Sequence, residues 1–218
     1  MTHLESELKL LQDATIEMWV LVISQLEKTL HSLKTFDKDF AREVVSNEKR
    51  VNSMELGIDR DCENIFALYN PVAVDLRFVL ATLKINSNLE RIGDIAEGIC
   101  KFIISETQPF DKDLLAMTRF YDMFDGANNM LNDVLKAFEE EDTKLARSIF
   151  QKDEFLDEIN MEANENILAY IAKQPGNTKQ ALNILSIIRK LERVGDQRKN
   201  IAEEIIFYLE AKVLKHKK

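Results

Sequence analysis

A chain of 218 residues, 45% of them hydrophobic, is long enough for one sizeable core or two small ones, and its six glycines and three prolines suit long helices rather than sheets. Its formal charge of -9 repels nucleic acid and anionic lipid on average, so no nucleic-acid partner is expected. No run of about 18 apolar residues occurs, which argues against a membrane span, and Cys62 and Cys100, the only cysteines, sit on separate segments and form no CxxC, which argues against a disulfide framework or a cysteine zinc site.

In chain order, the N-terminus MTHLESELKLLQD is charged and amphipathic and lacks the apolar core of a signal peptide, so a cytoplasmic protein is expected. The punctuation predicts six helices. The first runs from about Leu4 to Leu33 and stops before TFDKD, where Asp37 can cap a second over about Lys38 to Tyr69. Asn70-Pro71 closes that helix and opens a third, about Pro71 to Ser105, with proline in a first turn where its missing N–H does no harm. Thr107-Gln108-Pro109 separates two halves, and Asp111, Asp142 and Thr178 stand as the caps of helices four, five and six. The terminal KVLKHKK reads as a solvated helix end favoured by the helix dipole.

The halves repeat each other. DKDFAR at 37–42 returns as DTKLAR at 142–147, and LERIGD at 89–94 returns as LERVGD at 191–196, offsets of 105 and 102. An all-α protein of two tandem three-helix antiparallel bundles follows, residues 1–107 and 108–218. Trp19 and Phe124 align at the first offset and are expected as core anchors.

On helix three, Leu76, Leu80, Leu83, Glu90 and Asp94 share one stripe, and Leu185, Glu192 and Asp196 repeat it on helix six, so these carboxylates are expected to face inward. Carboxylates four residues apart on a helix repel, and a hard cation with oxygen ligands would relieve the repulsion. Helix two offers Glu48, Asn52 and Glu55, and helix five offers Asp153 and Asp157. Because Asn52 stands where the second half has Asp157, the fuller metal cluster is expected beside LERVGD. Gly93 and Gly195 each cost about 1 kcal/mol in mid-helix, which predicts close approach of another backbone at that level.

Two other readings of the same acids stay open. One is a helical scaffold whose carboxylates are solvated or meet Arg91 and Arg193, and the other is a carboxylate–metal phosphohydrolase. Enzymatic turnover is not expected: there is no P-loop, GxGxxG, GxSxG or HExxH, and His3, His31 and His216 lie far from the acid pairs, which rules against the Glu-x-x-His sites of ferritin-like enzymes.

NPVAVDLR at 70–77, LERIGD followed by Ile95-Ala96-Glu97, and LERVGD followed by Asn200-Ile201-Ala202-Glu203 together resemble the PhoU family over nearly the whole chain. The resemblance implies two tandem three-helix bundles with pseudo-twofold symmetry, in a cytoplasmic and often dimeric protein. It also implies a repressor of phosphate uptake and phosphate-starvation signalling when phosphate is plentiful. Such a protein would act as an adaptor between the ATPase subunit of the phosphate ABC transporter and a phosphate-sensing histidine kinase, with membrane association only through those partners.

Family members carry E(D)xxxD motifs that bind divalent or trivalent metal ions, iron or zinc clusters among them. Glu90 and Asp94, Glu192 and Asp196, and Asp153 and Asp157 match those motifs; Glu48 matches the first acid of the remaining one, Asn52 replaces its second, and Glu55 is a looser candidate nearby. Gln197 stands where the family often has histidine.

Overall fold

Three of the helix starts are made by the same device. Asp37, Asp111 and Asp142 each turn a carboxylate back onto two backbone N–H groups of the first turn, those of Asp39 and Phe40, Asp113 and Leu114, and Lys144 and Leu145. Thr2 and Glu5 close a reciprocal capping box at the N-terminus.

The computed structural model describes residues 2–214 and contains seven α-helices among them: α1 His3–Thr35, α2 Lys38–Tyr69, α3 Ala73–Ser105, α4 Lys112–Met117, α5 Phe120–Glu139, α6 Thr143–Lys173 and α7 Thr178–Glu210, with a 3-10 turn at Pro175–Asn177. None of these helices is long and apolar enough to cross a membrane.

Four local expectations change. The third helix starts at Ala73 rather than Pro71, because Asn70 ends α2 in the left-handed region and Val72 is extended, so no helical turn can begin at the proline. Thr178 is the first residue of α7 and not its cap; its hydroxyl donates back to the Pro175 carbonyl. The fourth helix is broken into α4 and α5. Thr118 donates its hydroxyl to the Leu114 carbonyl and Arg119 takes a positive φ of 51°, while its side chain reaches Glu158 and Glu162 of α6 and lies over the Phe155 ring. Finally, α7 ends at Glu210 with Ala211 in the left-handed region, so 212–214 are not a helix end; the rest of KVLKHKK lies outside the described residues.

In the first half α1, α2 and α3 pack on one another, in the second α5, α6 and α7 do so, and α3 meets α7 between them. Trp19 and Phe124 are fully buried, as their alignment suggested. Trp19 of α1 lies 5.7 Å from the Phe138 ring of α5, Phe78 of α3 stacks on Phe138, and Tyr208 of α7 meets both phenylalanines edge-on, so the halves share one core.

With α3 covered by α1 and α2 on one side and by α7 on another, its buried face is carried by Val79, Ile85, Leu89, Ile92, Gly93 and Ala96. Leu76 and Leu80 are 36% and 37% exposed, so the predicted inner stripe of α3 lies at the edge of the bundle instead. Asp94, on that stripe, is exposed and Glu90 half-buried.

Candidate metal centre

The acids that are truly interior come from the neighbouring helices. The buried stripe of α2 runs Ala41, Val44, Glu48, Val51 and Ile58, and that of α6 runs Ala146, Ile149, Asp153, Leu156 and Ile159. One position of each apolar stripe is a carboxylate. Glu48 is 6% exposed and Asp153 4%.

Facing them, α3 and α7 present Gly93 and Gly195. A Cβ on Gly93 would stand 3.2 Å from Glu48 Oε2, and one on Gly195 only 2.6 Å from Asp153 Oδ1. The paired glycines therefore admit a carboxylate side chain from the next helix, where the sequence had suggested a second backbone. Gly195→Ala is expected to destabilise the protein by roughly 1–2 kcal/mol in urea unfolding, because the added methyl must displace Asp153. Gly93→Ala, with 3.2 Å available, is expected to cost less.

In the first half Glu48, Glu90 and Asp94 each offer a carboxylate oxygen, and these atoms all lie within 4.8 Å of one another. Among the described residues no basic or amide donor reaches either oxygen of Glu48, and the group beside it is another carboxyl, that of Asp94. Burial, followed by the charges of Asp94, Glu97 and Glu90, pushes the Glu48 carboxyl up to about 7. Glu90 and Glu55 are also raised, by burial first and then by their acidic neighbours, with Arg91 opposing the shift in both.

Asn52 is exposed and Glu55 half-buried further along α2. Asp94 also lines a cleft of about 840 Å³ between α3 and α7, together with Arg91, Glu97, Lys101, Lys190 and Arg193, so the trio meets the cleft at its Asp94 corner. A buried carboxylate with no donor, beside two more acids and an open cleft, is a donor set that fits a hard cation.

The second half has the same frame with different charges. Lys199 sends its ammonium to 2.5 Å from Asp153 Oδ2 and 3.0 Å from Asp196 Oδ1. Burial works against that charge, but the two carboxylates prevail and hold the ammonium above its usual range. Beside it Arg198 is fully buried, donating to the carbonyls of Val194, Ala127 and Gly126. Burial lowers the guanidinium to about 9, opposed by Asp153 and Asp196, so it remains a cation at neutral pH. Burial and then neighbouring acids raise Asp157 and Glu192, and Lys199 counters the rise in both.

Sequence reasoning missed Arg198 and Lys199. The signal was available, since at the 102-residue offset they stand where the first half has Ala96 and Glu97.

The PhoU domain matches this sequence twice, over residues 15–103 and 120–205. The chain belongs to the PhoU family. It is 32% identical over 216 residues to the phosphate-specific transport system accessory protein PhoU homolog 1 of Thermotoga maritima, covering 98% of this chain and 91% of that protein. With the accessory protein PhoU of Escherichia coli (strain K12) it shares 30% identity over 211 residues, 97% of this chain and 87% of that one.

The crystal structure of PhoU from Pseudomonas aeruginosa superposes with a TM-score of 0.87 at 29% identity, covering 95% of this chain and 99% of that chain. That of the phosphate transport system regulatory protein PhoU from Streptococcus pneumoniae gives 0.85 at 28% identity, covering 97% and 99%. The fold is thus the all-α tandem PhoU arrangement, in a family of phosphate-transport accessory proteins rather than enzymes.

Proposed function

We propose that this chain is a cytoplasmic negative regulator of phosphate uptake and phosphate-starvation signalling, built as halves 1–107 and 108–218 and working as a homodimer. It docks on the ATPase subunit of the phosphate ABC transporter and on a phosphate-sensing histidine kinase, and it reaches the membrane only through them. The observation that carries this reading is similarity to PhoU accessory proteins along 97% to 98% of the chain. To signal, an adaptor must bind one state of its partner more tightly than the other. A kinase form competent as a phosphatase, favoured when transport is saturated, is such a state.

Glu48, Glu90 and Asp94 hold a metal ion in this reading, iron or zinc being the ions of the family, with Glu55 and Asn52 as further oxygen donors on α2. When bound, the ion supplies the positive charge that turns mutually repelling carboxylates into a chelating set. The chain's own contribution is the glycine-made niche that keeps Glu48 buried and aimed at Asp94.

Deletion of the gene is expected to raise phosphate uptake and derepress phosphate-starvation genes in phosphate-replete cells; unchanged repression would contradict the regulatory role. Glu48→Gln combined with Asp94→Asn is expected to remove most bound metal from purified protein, and unchanged metal per chain would remove these residues as ligands.

A further inference from the structure

We infer that Lys199 is a built-in counter-cation that fills the second-half carboxylate cluster and closes it to metal, leaving one metal group among the described residues, in the first half. The inference rests on the metal reading of Glu48, Glu90 and Asp94 and concerns the asymmetry between two copies of one frame.

The frame itself is duplicated: a buried acid from α2 or α6, a glycine that admits it, and an ExxxD pair beside the glycine. Two adjacent positions decide the charge. Where the first half has Ala96 and Glu97, the second has Arg198 and Lys199, which replaces one acid by a base and adds another base.

Glu97 adds to the negative field on Glu48, and its own partner, Lys101 at 2.6 Å, comes from the exposed side. Lys199 instead bridges Asp153 and Asp196, the counterparts of Glu48 and Asp94. An incoming cation would have to displace an ammonium already held by both of its ligands. It would also meet the Arg198 guanidinium, which three backbone carbonyls hold and which therefore cannot swing away. The buried Asp153 has its countercharge within the chain, whereas Glu48 has none within hydrogen-bond reach.

The test is a calorimetric titration of Mn²⁺ into full-length, chelator-stripped protein, with native mass spectrometry for the count and circular dichroism to confirm folding. Four proteins suffice: wild type, Glu48→Gln/Asp94→Asn, Lys199→Gln, and the three changes together. Lys199→Gln keeps the side chain's bulk and removes its charge. The expectation is binding in the wild type, loss in the double variant, about twice the metal per chain in Lys199→Gln, and metal regained in the triple variant. Arg198→Ala/Lys199→Glu, which writes the first-half residues into the second half, should also double the metal if it folds.

If the double variant keeps its metal and additional Lys199→Gln does not increase it, Lys199 excludes nothing and the inference fails while metal binding as such stands. If the wild type binds nothing but Lys199→Gln binds Mn²⁺, the counter-cation role holds and the first-half reading fails. No gain of metal in either Lys199→Gln protein overturns the inference.

Discussion

In chelator at pH 8, Glu48→Gln raises the stability of the protein, and with saturating metal the same substitution lowers it. The two signs come from one residue. Burial and three acidic neighbours raise the Glu48 carboxyl from its ordinary 4.5 to about 7 in the folded protein. A carboxyl raised in this way contributes stability that is fully present below the unfolded value of 4.5 and is lost as pH rises through about 7. At pH 8 the metal-free protein therefore carries an ionised, donorless carboxylate at a cost of up to about 3 kcal/mol. Glutamine removes the charge and with it that cost, so the advantage of the variant should shrink as pH falls and vanish near pH 4.5.

Metal reverses the order, because an ion at one thousand times its Kd stabilises the wild type by about 4.1 kcal/mol, more than the ionised carboxylate costs, and cannot do so for a variant that has lost its central ligand. Thermal or urea unfolding at two pH values, with and without metal, reads all four corners. A variant less stable than wild type in chelator at pH 8 would mean that Glu48 is satisfied without an ion.

Arg198→Ala is expected to be the most damaging single change in the second half, at roughly 3–5 kcal/mol. The side chain is 0% exposed, so its removal leaves a void, and the carbonyls of Val194, Ala127 and Gly126 lose a donor. Asp153 and Asp196 lose a fixed positive neighbour at the same time. Arg198→Met fills more of the volume without the charge and should recover part of the loss. Urea midpoints compared with Ala96→Ser, at the equivalent place in the first half, separate the buried guanidinium from general sensitivity of that helix level. A cost below about 1 kcal/mol for Arg198→Ala would show that the guanidinium is not what organises the second half.

Much of this architecture can be read in the letters. The cap aspartates at 37, 111 and 142 act through their nearest neighbours in sequence, which is why the starts of α2, α4 and α6 fall where expected. The break between α4 and α5 is different. A threonine bonding back to the carbonyl four residues earlier is ordinary inside helices, and the acids that the side chain of the left-handed Arg119 meets lie on α6, some 40 residues away.

The site divides in the same way. Both ExxxD pairs and the glycines were visible as repeats, and Glu48 and Asp153 could have been singled out as the only acids in otherwise apolar stripes. The placement of the Lys199 ammonium was not visible, because a lysine at that position can reach solvent as readily as a neighbour, and the packing of α6 on α7 decides which. The stripe of Leu76 and Leu80 misled because a helix buried against partners on two sides has no single inner line.

Metal binding turns on the contrast between the halves: a buried Glu48 beside an exposed Asp94 in one, an acid pair bridged by Lys199 in the other. Anomalous diffraction at the manganese edge, from crystals grown with Mn²⁺, tests it most directly. The expected map has its peak among Glu48, Glu90 and Asp94, with none between Asp153 and Asp196. A peak at Asp153 and Asp196, or none beside Glu48 at saturating metal, would contradict it.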